Sequence, residues 1–301
     1  MNGDVVTTFN VFHEMPLSIL IAVYFYMTGL SAGSFILSTM AYGFGMEKFK
    51  PIGRVGVVMA VVLLGLAPLN LIAELGQPLR FWYLFPYLNP ASPITWGSFL
   101  LTLYPINCLI YGYFMFKGRP KLTRAFGLIG IPLALSVHGY TGFILALGKA
   151  RALWNTALMP TYFLTSAMVS GIALMILVVM VRDRFFMPEK KINRGIVSTL
   201  VTMLLITIVF DLFLALSDVL ILLTADTEAR EAALLLLQGG FRPYFLGVEV
   251  GLGAVIPLAL LLLPATRRQF KFIAAASVLV MFGILAMRYV VVIGGQTIPL
   301  S

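Results

Sequence analysis

The sequence predicts an all-α integral membrane protein that crosses the bilayer eight times. Of its 301 residues, 60% are hydrophobic and only 11% are charged, whereas soluble domains carry about 25% charged residues. So few charged side chains cannot cover the surface of a soluble protein of this size. Long apolar runs recur along the sequence, and the basic residues concentrate in alternate connections between them. These observations together favour the bilayer as the solvent.

Eight apolar runs approach or exceed the roughly 20 residues that a transmembrane helix needs. Pro16, Pro93 and Pro160 fall in predicted first turns, where proline is tolerated because its missing N–H would have no helical partner. The first run is too long for a signal peptide and lacks a basic leader, so we expect an uncleaved insertion signal. The predicted spans are residues 16–43, 53–75, 93–116, 124–148, 160–182, 195–223, 242–264 and 270–294.

The basic residues predict the orientation of these spans. Fifteen of the 21 Lys and Arg residues lie in four alternate connections, and five lie in the opposite ones. Because basic loops stay on the cytoplasmic side, both termini are predicted to be extracytoplasmic, in a bacterial or archaeal cytoplasmic (inner) membrane. The net charge of +9 is explained by these loops and does not indicate nucleic-acid binding. The four basic connections are 44–54, 117–124, 182–194 and 265–271.

The connections on the predicted outer side are longer. Segment 76–92 is rich in aromatic residues and is expected at the membrane interface, and segment 225–241 is expected to form a short amphipathic or interfacial helix. This asymmetry suggests that functional contacts are made on the outer face. The basic loop 182–194 predicts a division into a first half of four to five helices, residues 1–185, and a second half, residues 186–301. The eight spans are expected to form two four-helix bundles.

Cysteine and histidine are scarce. Cys108 is the only cysteine, so no internal disulfide is possible, and the protein alone cannot hold an iron–sulfur cluster, which needs about four ligands. His13 and His138 are the only histidines. They could build at most one bis-histidine haem, as in a b-type cytochrome, and only if they faced each other.

Ionisable residues within the apolar runs are costly to bury and are therefore candidate functional residues. Asp211 and Asp218 are seven positions apart in one predicted helix, so they share a face. Glu249 and Arg288 lie in the last two spans. Pairing of an acid with Arg288 would offset the cost of burial, and we favour that structural interpretation. A proton path, or the ion path of a secondary transporter, is the alternative.

A second set of polar residues is predicted near the outer face. Asn10 and His13 are one helical turn apart at the start of the first span and could form a hydrogen-bonding site or a solvated segment. His138 and Tyr140 lie in the outer third of the fourth span. They are two positions apart, so only one of them can face a given pocket.

Glu74 ends the second predicted span on the same side. It could pair with Arg80, which would be a structural role, or it could transfer protons. Nearby, the segment Ser92-Pro-Ile-Thr-Trp-Gly-Ser opens the third span and predicts a helix cap at Ser92.

These residues form an ordered set of motifs that resembles the NrfD/PsrC family, the membrane subunit of polysulfide reductase and related respiratory complexes. The resemblance covers most of the sequence. The motifs are Glu74-Leu-Gly-Gln-Pro-Leu-Arg-Phe, Ser92-Pro-Ile-Thr-Trp-Gly-Ser, Tyr140-Thr-Gly, Trp154 with Pro160-Thr-Tyr-Phe-Leu-Thr-Ser-Ala, Glu249 with Gly253 and Pro257, and Arg288 with Gly294-Gly-Gln.

The resemblance implies a subunit that carries no haem and no iron–sulfur cluster and exchanges electrons with quinone, either menaquinone or ubiquinone. It implies an extracytoplasmic iron–sulfur partner and, in many complexes, a molybdopterin-type catalytic subunit. By match to the family's quinone site, Asn10, His13 and Tyr140 are the expected contacts of the quinone head. Glu74 would then move protons to or from the outer surface.

Overall fold

The computed structural model describes residues 17–186 and 193–297, and within these ranges it contains helices and no strand. Eight helices in them are long and apolar enough to cross a membrane, which confirms the predicted all-α membrane fold. A short helix, α7, lies between the sixth and seventh spans. The helices are α1 (Ile19–Tyr42), α2 (Lys50–Glu74), α3 (Pro93–Phe116), α4 (Pro120–Ala146), α5 (Met159–Val181), α6 (Arg194–Thr224), α7 (Thr227–Leu237), α8 (Pro243–Leu262) and α9 (Phe270–Thr297).

The observed spans differ most from the predicted ones at the starts of α1, α2 and α4 and at the end of α9. Helix α1 begins at Ile19, three residues later than predicted, with Ser18 as its N-cap, and α9 ends at Thr297, three residues later than predicted. Helices α2 and α4 begin three to four residues earlier than predicted, at Lys50 and Pro120, inside segments assigned to basic loops. Pro51 and Pro120 explain the difference, because proline is well suited to the first turn of a helix. The helical conformation therefore continues beyond the apolar run into the charged segment.

The two long connections predicted on the outer side take different forms. Residues 227–237 form the expected short helix, whose start is capped by Asp226, since its carboxylate accepts a hydrogen bond of 2.8 Å from the Ala229 N–H. Pro78–Leu84 form a 3₁₀ helix with no buried residue. The cap predicted at Ser92 is only partly right, since Ser92 occupies the N-cap position of α3 but its side chain makes no capping hydrogen bond.

Helices α1 and α5 are the most buried spans and lie at the centre of the structure. They cross at Gly33 and Gly171, where the backbones nearly touch. A Cβ atom added to Gly33 would lie 2.6 Å from the Ala167 carbonyl oxygen, and one added to Gly171 would lie 2.5 Å from the Gly33 Cα. Close approach through small residues is the usual basis of helix association in lipid, where no hydrophobic driving force is available.

The last two spans contain π-helical stretches. Pro243–Val255 begins α8, and Val290–Gly294 lies near the end of α9. These helices cross at Gly253 and Gly283, where an added Cβ on either residue would collide with the backbone of the other. A π-helix is rare and often lies at a functional site.

The Gly33–Gly171 crossing yields a first prediction. Gly171→Ala should lower the stability of the purified protein in detergent by about 1–3 kcal/mol, because the central helices cannot separate without losing contacts. Gly65→Ala is the matched control, since no atom lies within 4 Å of a Cβ added there. The control should be neutral or slightly stabilising, since alanine favours a helix over glycine. Equal melting temperatures for the two variants would contradict this account of the crossing.

Candidate functional site

Polar side chains gather in two regions of the described structure. The first is the end of the helical assembly at which α1 and α3 begin and α2 and α4 end, which we call the entry end. The second lies in the interior between α5, α6, α8 and α9. The first region includes Glu74 and Tyr140, and the second includes all four of Asp211, Asp218, Glu249 and Arg288.

At the entry end, the Glu74 carboxylate holds the start of α1. The Ser18 N–H donates to Glu74 Oε1 at 2.6 Å, and the Ser18 hydroxyl donates to the other carboxylate oxygen. Ser18 Oγ in turn caps α1 by accepting a hydrogen bond of 3.1 Å from the Leu20 N–H. A carboxylate is favourable here because the N-terminus of a helix is positively polarised.

The expected pairing of Glu74 with Arg80 is therefore wrong. The Arg80 guanidinium lies on the exposed 3₁₀ helix, 6.0 Å from the centre of the Tyr83 ring. The backbone and hydroxyl of Ser18 take its place because donors at the start of a helix have no partner within the helix.

Tyr140 lies partly exposed near the end of α4, with its ring against Gly97 of α3. A Cβ atom added to Gly97 would collide with the Tyr140 ring, so this ring occupies the space that a side chain in α3 would need. Tyr24 of α1 lies close enough to interact with Tyr140 electrostatically. Asn10 and His13 lie outside the described residues, so their positions relative to Tyr140 stay a prediction.

His138 points away from Tyr140, as the spacing of two predicts. Its imidazole is fully buried against α1, where Nε2 lies 3.0 Å from a Cβ added to Gly29. The ring also lies within electrostatic range of Arg288. His138 therefore belongs to the interior of the protein, between the two polar regions.

In the second region, Glu249 occupies the central position. The Tyr162 hydroxyl of α5 donates a hydrogen bond of 2.5 Å to Glu249 Oε1. Glu249 also lines two small internal gaps, one shared with Asp211 and the other with Asp218 and Tyr162. Each gap has room for about one or two water molecules. Glu249 therefore shares one small gap with each of the two buried aspartates.

Arg288 does not form the ion pair expected from the sequence. No carboxylate oxygen of the described residues lies within 4.0 Å of its guanidinium nitrogens. Arg288 instead donates to Ser166 Oγ at 2.6 Å and to the Phe163 carbonyl at 3.2 Å, and its Cζ lies 3.7 Å from the centre of the Phe163 ring. The Phe163 ring, the Phe163 carbonyl and the Ser166 hydroxyl, all on α5, thus take the place of the carboxylate.

Several buried polar atoms have no hydrogen-bond partner among the described residues. They include both imidazole nitrogens of His138, Nε and Nη1 of Arg288, and one carboxylate oxygen each of Asp211 and Asp218. Buried polar atoms in proteins usually bond to another protein group or to an ordered water. These unpartnered donors and acceptors lie on α4, α6 and α9.

Sequence reasoning missed two residues of these regions. Tyr162 appeared only as part of the Pro160-Thr-Tyr motif, because a tyrosine in an apolar helix is more often a packing residue. Ser18 was not singled out, because its contact with Glu74 joins residues 56 positions apart. Pro16, two positions before Ser18, was the one local signal that a helix begins here.

The fold and its buried ionisable groups define a multi-pass integral protein of the cytoplasmic membrane. The family model described as "Polysulphide reductase, NrfD" matches residues 8–299, and the chain belongs to this family. It is 29% identical to a selenate reductase subunit from Mesobacillus selenatarsenatis, over 93% of this chain and 74% of that protein. It is 30% identical to the Hdr-like menaquinol oxidoreductase integral membrane subunit of Archaeoglobus fulgidus (95% and 72%) and 28% identical to a polysulfide reductase polypeptide from Wolinella succinogenes (92% and 93%).

The contact between Glu74 and Ser18 yields a second prediction. Glu74→Ala should destabilise the protein by about 1.5–3 kcal/mol, because it removes a charged acceptor from two donors at the start of α1. Glu47→Ala is the matched control, since Glu47 forms only an exposed salt bridge with Lys50, and it should change stability little. Thermal unfolding of both variants in detergent measures the difference, and equal stabilities would show that the anchor contributes nothing.

Proposed function

We propose that this chain is the quinone- or quinol-reactive membrane anchor of a respiratory oxidoreductase complex. The observation that carries the proposal is the position of Tyr140, partly exposed and packed against Gly97 of α3 near the entry end. This is the end at which Asn10 and His13 precede α1 in sequence. Family membership, and a relative named as a menaquinol oxidoreductase membrane subunit, support the same interpretation.

The residues at the entry end suit a quinone head, which has a flat ring and two carbonyl oxygens. His13 would contact one carbonyl, and Tyr140 or Asn10 would donate to the other. A neutral histidine can accept a proton from a quinol hydroxyl or donate one after protonation. When bound, the quinone, menaquinone or ubiquinone, supplies the two-electron chemistry that this protein's own side chains lack.

Glu74 is proposed to pass protons between this site and the outer surface. Its carboxylate lies at the end of α2, at the level of the first residues of α1. The hydrogen bonds to Ser18 hold it there, so the anchoring role and the proton-transfer role are compatible. In the orientation predicted from the basic loops, both termini would lie on this extracytoplasmic side.

Electrons are proposed to pass directly to an iron–sulfur subunit docked on the outer face, with a molybdopterin-type catalytic subunit beyond it, since we assign no haem or iron–sulfur cluster to this chain. Segments 76–92 and 225–241 would form the dock. Two residues of segment 76–92 support this, because Leu79 is 89% exposed and Tyr87 is 77% exposed. The 3₁₀ helix of this segment also contains no buried residue.

We also propose that the spans form two four-helix bundles, α1–α4 and α5 with α6, α8 and α9, so that the halves 1–185 and 186–301 of the sequence meet at α5. Helices α1–α4 contact one another in sequence, and α8 and α9 contact each other and α6 or α5. Helix α5 contacts α1 and α4 as well as α6 and α9. This central helix would couple the half that carries the quinone site to the half that carries the buried carboxylates.

A third prediction tests the quinone site. His13→Ala and Tyr140→Phe should each abolish quinol-linked turnover while the complex still assembles, because each removes a hydrogen-bonding group from the quinone head. Tyr113→Phe is the control, since Tyr113 lies near the opposite end of α3 and is exposed. Turnover is measured with a short-tailed naphthoquinol and the purified complex. Wild-type rates for both site variants would overturn the assignment.

A second function, proton transfer through the interior, is favoured by the shared position of Glu249 in both internal gaps. Ionisable groups inside membranes commonly mark ion or proton pathways. We propose that Asp211, Glu249 and Asp218 form such a pathway, with Arg288 as a nearby fixed cation. The same residues would serve an ion path if the protein were a secondary transporter, and co-purification of an iron–sulfur subunit and quinone distinguishes the two.

A fourth prediction addresses this pathway. Glu249→Gln should reduce proton translocation by the complex in proteoliposomes, because an amide cannot relay a proton as a carboxylate does, while the apparent affinity for quinol stays unchanged. Glu231→Gln is the matched control, on the exposed face of α7. A pH-sensitive dye trapped in the vesicles reports the protons moved per quinol oxidised. An unchanged ratio in Glu249→Gln would remove Glu249 from the pathway.

A further inference from the structure

An open groove lies between the last turns of α3 and the start of α4, at the end of the protein opposite the entry end. It has a volume of about 500 Å³, and it is lined by aliphatic and aromatic side chains only, namely Leu109, Ile110, Tyr113, Phe114 and Phe126. Leu109 and Tyr113 are each more than half exposed, and α3 and α4 are much less buried than the central spans α1 and α5. The groove therefore faces the lipid that surrounds the protein.

The walls of the groove are held in place by contacts between α3 and α4. The buried Asn107 side chain of α3 donates a hydrogen bond of 3.1 Å to the Phe126 carbonyl of α4. The Phe114 and Phe126 rings stack with their centres 5.6 Å apart, and the Tyr113 ring packs edge-on against Phe114 at 5.4 Å. The groove is thus already formed, so a ligand that enters it loses little free energy in ordering side chains.

The turn that joins α3 to α4 carries a concentrated positive charge. No acidic residue occurs in the sequence between Glu74 and Asp183, so the α3–α4 hairpin cannot neutralise this charge itself. Among the residues that the structure describes, no carboxylate oxygen lies within 4.0 Å of these cations. The four basic residues, all exposed, are Lys117, Arg119, Lys121 and Arg124.

Two of these cations adjoin the groove. The Lys117 ammonium lies 5.8 Å from the centre of the Tyr113 ring, which is itself part of the groove wall. Arg119 precedes Phe126 by seven positions, so it stands at the head of the face of α4 that carries Phe126. Arg119 also occupies the N-cap position of α4 without a capping side-chain hydrogen bond. The backbone N–H groups of the first turn therefore add to the attraction for an anion.

We propose that this groove binds an anionic phospholipid, with the phosphate at Lys117 and Arg119 and one acyl chain between α3 and α4. The acyl chain matches a groove that is lined by hydrocarbon, and the phosphate matches cations that have no carboxylate partner. Basic pockets between transmembrane helices bind anionic lipid headgroups in this way. A zwitterionic lipid fits less well, because its own ammonium group is repelled by the same cations. The inference is independent of the proposed quinone site, which lies at the other end of α3 and α4.

The charge requirement is tested by native mass spectrometry of the purified protein, which counts the lipid molecules retained as dioleoyl phosphatidylglycerol is added. The double variant Lys117→Gln with Arg119→Gln should raise the apparent dissociation constant about 30-fold. Arg268→Gln with Lys271→Gln is the charge-matched control, since both residues lie in another basic loop and neither lines the groove. This control should bind as the wild type does, and dioleoyl phosphatidylcholine should bind the wild type about tenfold more weakly.

The groove itself is tested without changing any charge. Leu109→Trp should weaken binding of dioleoyl phosphatidylglycerol severalfold, because the larger ring fills space that the acyl chain needs. Leu216→Trp is the matched control, since Leu216 lies on α6 and is exposed to a similar degree, and it should have no effect. Tyr113→Phe should also bind normally, because the proposal uses the Tyr113 ring and not its hydroxyl group.

Three results would overturn the inference. They are equal binding of the two lipids, equal losses in a test variant and its control, and displacement of the lipid by inorganic phosphate without an effect of Leu109→Trp. The occupant in the assembled complex is identified by a photoreactive benzophenone amino acid in place of Phe116, which is exposed and shares a face of α3 with Tyr113. Attachment to a lipid is expected, and attachment to a partner subunit or a second copy instead would also overturn the inference.

Discussion

The hydrocarbon core of a bilayer offers no water to hydrogen-bond a polar group, so every such group in the spans depends on a partner within the protein. The helices satisfy their backbones, and the ionisable side chains that have partners find them on helices packed closely against their own. Arg288 illustrates this dependence, because its guanidinium is stabilised by the Phe163 ring, a carbonyl and a hydroxyl, all on α5. Helix α5 lies at the centre of the structure, where it supplies these contacts to Arg288 of α9.

Two helix backbones approach most closely where both carry glycine, and the two glycine crossings of this structure have different roles. The Gly33–Gly171 crossing joins the centre of the protein, and the Gly253–Gly283 crossing joins α8 to α9 beside the π-helical stretch that carries Glu249. The glycine pairs thus bring the residues of the polar interior together. Large side chains cover the lipid-facing surface and place no comparable restriction on geometry.

The number and approximate bounds of the spans could be predicted because a helix that crosses the bilayer must be apolar over about 20 residues, and both properties can be read from the sequence. The partners of the polar residues could not, since they depend on how each helix is rotated about its axis. In spans that are apolar on nearly every face, such as α5 and α6, the sequence pattern does not indicate that rotation. Glu74 therefore pairs with Ser18 and not Arg80, and Arg288 with Ser166 and not an aspartate. Asn10 and His13 lie outside the described residues and rest on the sequence alone.

The hydrogen bond from the Leu17 N–H to the Gln296 side chain brings together the first and last spans near the two ends of the described structure. Proximity of the ends of a folded unit is the condition under which circular permutation and domain insertion are tolerated. A permuted form of this helical assembly would therefore need only a short segment to join α9 to α1, with its new ends placed in one of the existing connections.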